Sequence, residues 1–185
     1  GETVDFQPGI YHLRDRYRSE FWRDARGIYE IESQYFVPVV RDVPVWPDKT
    51  IEPGDTWTYE GYEVHDFRQP FGIQEPYRFP APAQYRYLGL QEFEGKTLDA
   101  VEISYTVFYR SPSRPQQIYP SLVTGSAVQI MYFDRELGRP EFYQEEYDLE
   151  LRMNSGQTYR FAGTAEARVL ASYSLDRQEV EADIE

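Results

Sequence analysis

The chain contains no cysteine, which removes disulfides, thiolate zinc sites and cysteine nucleophiles from consideration. It has two histidines, His12 and His65, too widely separated to found a transition-metal site without thiolates, and no metal or other cofactor is expected. Lysine is nearly missing: Lys49 and Lys96 stand against 17 arginines, so the cationic side chains are expected to form planar, forked pairs with the acidic excess. No run of about 18 apolar residues occurs, so no direct membrane insertion by a helix is expected, and Gly1–Phe6 does not read as a signal peptide. The net charge of −13 argues against a nucleic-acid partner or an anionic membrane surface, both of which need clustered cations. The one basic cluster, Arg14, Arg16, Arg18, Arg23 and Arg26, is interleaved with Asp15, Glu20 and Asp24 and reads as a solvated, self-paired face.

What the chain has in abundance is aromatic surface, with 17 Tyr, 11 Phe and 3 Trp in 185 residues. Rings of this kind fit a pleated, half-buried sheet, and the length is enough for a self-sufficient core. Gly125 to Tyr173 reads as three extended strands joined by turns at Asp134–Pro140 and Asn154–Gly156. In the last of them Tyr159, Phe161, Gly163, Ala165, Ala167, Val169 and Ala171 recur at period two, a face of small residues that implies close approach by something bulky. Gln84–Leu90 and Leu98–Tyr109 flank Glu92–Lys96 as a hairpin with a glycine-containing loop. The type II turn signal Glu52-Pro53-Gly54-Asp55 precedes the alternating Thr56–Val64.

Elsewhere the pattern is weaker. Tyr11–Phe21 has room for a helical turn, and Gly27 to Val37 reads as a strand. Eight prolines between Pro38 and Pro82 imply loops with short strands, since proline is excluded from helix interiors and central strands. The expected organisation is an N-terminal arm (1–26), a β-rich domain (27–174) and an acidic tail or linker (175–185). The expected fold is all-β: a curved antiparallel sheet forming a half-barrel or sandwich, a proline-rich block over one opening or edge, and at most short helices.

Candidate chemistry is sparse. His65-Asp66 is a general-base pairing on paper, yet neighbours on a strand point to opposite faces, which favours a structural histidine. Glu145, Glu146, Asp148 and Glu150 are possible Ca²⁺ or acid/base carboxylates, but Glu146, Asp148 and Glu150 share one strand face and read as its solvent side. A carboxylate-based glycan hydrolase would draw first on Glu63, Asp66, Glu146 and Asp148. Trp22, Trp46 and Trp57 are the candidate ligand-binding residues, as a stacking platform for a carbohydrate or hydrophobic ligand; the competing reading buries them under proline-rich loops. No catalytic residue is assigned.

Scattered words between Ser19 and Pro80 carry a family resemblance: Glu20-Phe21-Trp22, Pro38-Val39-Val40-Arg41-Asp42-Val43-Pro44, Pro53-Gly54-Asp55-Thr56-Trp57, Glu63-Val64-His65-Asp66-Phe67-Arg68 and Pro76-Tyr77-Arg78-Phe79-Pro80. This stretch resembles the module preceding the OmpA-like domain in spirochaete cell-envelope proteins, and Val180–Glu185 is similar to the junction with that domain. The resemblance implies a non-enzymatic structural or interaction module, periplasmic or outer-membrane-associated, with a protein partner or adjacent domain. Peptidoglycan would be reached only through the separate wall-binding domain, whose Asp and Arg motif is not in this sequence. The alternative is a carbohydrate- or hydrophobic-ligand-binding β-module.

Overall fold

The computed structural model describes residues 19–68, 72–73, 75–114 and 117–169. His12, Arg14, Arg16, Arg18, most of the expected Tyr11–Phe21 turn and the acidic tail lie outside them. The described chain is built from nine strands: β1 Phe21–Arg23, β2 Tyr29–Ile31, β3 Val40–Arg41, β4 Thr56–His65, β5 Tyr77–Phe93, β6 Lys96–Arg110, β7 Pro120–Asp134, β8 Arg139–Met153 and β9 Thr158–Arg168. The last seven form a single antiparallel sheet in sequence order, curled into a half-barrel, so of the two expected forms the half-barrel is the one adopted.

The curl follows from side-chain alternation and from local breaks in the ladders. Along β5, Tyr77, Phe79, Ala81, Ala83, Tyr85 and Tyr87 are buried while Arg78, Pro82, Gln84 and Arg86 are not, the period of a strand with one dry face. Val101, Ile103, Tyr105 and Val107 of β6 continue that face. Register shifts at Tyr87/Gly89, Pro120/Leu122 and Tyr132/Phe133 bend the strands that carry them. Gly125, with φ of 144°, sits where β7 approaches β8 so closely that a Cβ would stand 2.1 Å from the Asp148 carbonyl oxygen.

Two clusters line the concave face. One gathers Phe67, Tyr77, Phe79, Tyr105, Val123, Leu149 and Leu151; the other gathers Tyr85, Tyr87, Val101, Ile103 and Met131 beneath Val43, Trp46, Trp57 and Tyr143.

The structure corrects two expectations in the proline-rich region. Only Tyr29–Ile31 of the strand expected over Gly27–Val37 forms, pairing with Phe21–Arg23 in a two-stranded ribbon across the 26/27 boundary. The Asp24 carboxylate accepts amides from Arg26, Gly27 and Ile28, which closes that ribbon's turn. Pro80 and Pro82 lie inside β5, not in a loop. They pair with Tyr62 and Glu60 on β4, but the ladder between β5 and β6 begins only at Ala83, so the prolines occupy a stretch of strand with one free edge. Among the described residues of the rest of the block, Val40–Arg41 adds β3 beside β4, and the Trp46 amide donates to the Arg26 carbonyl at 2.8 Å.

Gly125→Ala is expected to lower the unfolding free energy by about 1–3 kcal/mol, because the obstacle is backbone that must shift. Urea denaturation of the two proteins measures the difference.

Candidate functional site

The curled sheet and the proline block border a partly open cavity of about 650 Å³. Met131, Tyr143, Tyr147 and Leu149 from the sheet and Val37–Val40, Val43 and Pro44 from the proline block give it apolar walls, with Phe161, 44% exposed, and Ala165 on the β9 side. The volume lies within the ordinary range of small-ligand pockets, and so does the pattern of apolar walls with a few convergent polar groups.

The polar side chains on its lining include Arg23 and Gln129 together with Glu63, His65, Tyr105 and Glu145, and these last four are brought together from three strands. Glu63 and His65 are two residues apart on β4 and therefore project to the same face. His65 Nε2 lies 2.7 Å from Glu63 Oε2, and the imidazole is held flat between the rings of Phe67 and Phe79, at centroid distances of 5.6 and 5.4 Å. Glu63 is only 3% exposed. The Tyr105 hydroxyl stands 2.6 Å from Glu63 Oε1 and 3.0 Å from Glu145 Oε1, bridging the two carboxyl groups.

A phenol has one proton to give, so it cannot satisfy two carboxylates equally. Burial, followed by the neighbouring charge of Glu63, raises the Glu145 pKa against the lowering effect of the Tyr105 hydrogen bond. The hydroxyl therefore donates to one carboxyl oxygen at a time, the shorter contact being to Glu63. Desolvation and then the charges of Glu63 and Glu145 raise the Tyr105 pKa too, keeping it a neutral donor. This group is rich in acceptors and lies on the lining of a mainly apolar chamber, an arrangement that can accept a donating head group.

Of the residues singled out from sequence, Glu63, His65 and Glu145 line this cavity and Asp66 does not. Asp66 points away and is held by the Arg68 guanidinium through two bonds, of 2.8 and 2.7 Å, which lower its pKa. Glu146 and Asp148 lie on the outer face of β8 as expected, Asp148 forked by Arg160. Arg135–Asp99 and Arg168–Glu94 are further forked pairs of the kind the arginine excess implied.

The tryptophans are divided. Trp46 and Trp57 meet at 6.0 Å, Trp46 packing edge-on to Phe133 and Trp57 stacking on Tyr85 while its Nε1–H donates to the Val45 carbonyl at 2.8 Å. Trp22 is in the β1–β2 ribbon. All three are half-buried and none lines the cavity. Tyr105 and Tyr147 were not singled out from sequence, although Tyr105 was visible at period two with Ile103 and Val107. Among the described residues no cluster of three or more carboxylates and histidines converges as a metal site. No protein family, curated protein or solved structure matches the chain.

A Glu145 pKa raised in the folded state means that folding takes up a proton between the unfolded value and the raised one. That contribution to stability is present at low pH and lost as pH rises through the raised value. Glu145→Gln is therefore expected to gain stability relative to the parent as pH is raised from about 4.5 to about 8, a gap absent at the acid end. Denaturation midpoints across that range read it directly.

Proposed function

We propose that this chain is a non-enzymatic binding and interaction module of a bacterial cell-envelope protein, whose curled sheet takes up a small ligand with an apolar body and a hydrogen-bond-donating head. The cavity of about 650 Å³, mainly apolar along its walls and lined also by Glu63, Tyr105 and Glu145, is the observation that carries the reading. Filling such a chamber with hydrocarbon is favourable at about 25 cal/mol per Å² of apolar surface removed from water. The acceptors Glu63, Tyr105 and Glu145 on its lining then favour a donating head placed beside them, because an acceptor-only head there would leave buried oxygens facing one another. A tryptophan platform is not needed in this reading: Trp46 and Trp57 instead pack behind Tyr85 and Phe133.

The placement in an envelope protein, upstream of a wall-binding domain and outside the cytoplasm, rests on the resemblance of Ser19–Pro80. The interaction role has one supporting observation of its own in the sheet edge formed by β9, which has no neighbouring strand among the described residues.

N-phenyl-1-naphthylamine, a neutral amine with an apolar body, is the probe. Its fluorescence is expected to rise on titration with the protein, with a dissociation constant in the micromolar range, roughly −8 kcal/mol. Gln129→Trp, which puts a large ring into the chamber from β7, is expected to weaken that binding by about tenfold or more while the far-ultraviolet circular dichroism is unchanged. No enhancement with the parent protein, or equal enhancement with the filled variant, removes the cavity as the binding site.

A further inference from the structure

β9 is the last strand of the sheet, and its ladder with β8 runs without a break from Thr158 to Arg168. Its other side therefore presents eleven residues of backbone with no strand beside it among the described residues. Exposed edges are ordinarily blunted by shortness, proline, lysine, a bulge or an inward-pointing charge. The opposite edge of this sheet follows that rule, β3 being two residues long. β9 has none of these devices: it carries no proline, lysine or bulge, and Tyr159, Phe161, Gly163, Ala165 and Ala167, the set that faces the cavity side, is uncharged.

We propose that β9 pairs antiparallel with β9 of a second copy of this chain, about a two-fold axis at Gly163, joining two curled sheets into one. The sequence is self-complementary about that point. On the outer face Arg160 of each copy stands opposite Glu166 of the other, two opposite-charge pairs of the kind that stabilise neighbouring strands. On the inner face Phe161 stands opposite Ala165 and Tyr159 opposite Ala167, a large ring against a small side chain each time, with glycine meeting glycine on the axis.

Moving the axis by one residue destroys the match. Centred on Thr164, Arg160 meets Arg168; centred on Ala162, Glu166 meets Thr158 and both charge pairs are gone. The Arg160 guanidinium is already fixed on the outer face by Asp148, at 2.8 and 2.6 Å. Tyr147 lies over Gly163, its hydroxyl 3.4 Å from where a Cβ would be, so the inner face at the axis is covered from within each copy. Because Phe161 and Ala165 also line the cavity, the pairing sets the Phe161 ring of the second copy at its rim. The pairing itself needs only the edge and holds whether or not the cavity takes a ligand. An isologous contact of this kind closes on itself and stops at two copies.

Sedimentation velocity of the whole chain from about 1 to about 200 µM is the test, with twofold mass expected at the upper end. Arg160→Glu and Glu166→Arg, each alone, set like charges opposite one another at two symmetry-related places and are expected to raise the dissociation constant at least about tenfold. Mixed in equal amounts, the two variants restore both pairs and are expected to form a heterodimer of near-parental affinity. A chain monomeric throughout, a dimer that neither variant weakens, or a mixture that fails to associate overturns the proposal. Should the variants not fold, hydrogen exchange of the parent decides: amides of 158–168 are expected to be better protected at high concentration than at low. Equal protection at both, as when residues beyond 169 of the same chain cover the edge, overturns it.

Discussion

A seven-stranded sheet that curls without closing has to keep one face dry with its own side chains, and everything else in this molecule follows from how that face is filled. The odd-numbered residues of β5 and β6, from Tyr77 to Tyr87 and from Val101 to Val107, form the continuous dry stripe at the centre of that face. Four of the ten are tyrosines, whose rings pack while their hydroxyls must find partners. Tyr77 finds Ser111 and the Pro120 carbonyl, Tyr87 finds Asp99, and Tyr105 finds Glu63 and Glu145. Among the described residues no buried side-chain nitrogen or oxygen lacks a partner. The core is thus tied together by phenols as much as by hydrocarbon, and a carboxylate buried beneath each of two phenols is part of the packing.

The same requirement explains why polar chemistry gathers at one place. Where the two apolar clusters separate, the side chains that remain are Glu63, His65, Tyr105 and Glu145, each bound to another member and screened from water by Phe67, Phe79 and Leu149. Burial first, and then the neighbouring Glu63, make the Glu145 carboxylate costly to form, so its proton is held more tightly than in water. The proline block then acts as a wall: Val37–Val40, Val43 and Pro44 are too poor in amides to extend the sheet far and apolar enough to face the cavity.

The long strands were legible because their signals are local. Turn chemistry at Pro53-Gly54 and Glu94-Gly95 and the period-two runs of β4 to β9 placed the sheet and its hairpins, Glu94 and Gly95 both having the positive φ that a tight turn requires. The proline-rich strand segment was misread because whether a proline costs a hydrogen bond depends on the neighbouring strand, and nothing near Pro80 in sequence says that β6 has already ended its pairing there. The site was half legible. Glu63 and His65 share a face by spacing alone, whereas Glu145 joins them only through a ladder that sets β8 four strands from β4, with Tyr105 between. Trp46 and Trp57 pack on one another, on Phe133 and on Tyr85, and sequence alone does not distinguish a ring that packs from one that stacks a ligand.

The order of the seven-stranded sheet repeats the order of the chain, so every reversal between β4 and β9 joins immediate neighbours. At Gly95, Gly138 and Gly156 the space around each turn is open. These three reversals are therefore natural ports for protein engineering: a fluorescent or affinity peptide spliced into any of them lengthens a loop without rethreading a strand, and leaves the concave face untouched.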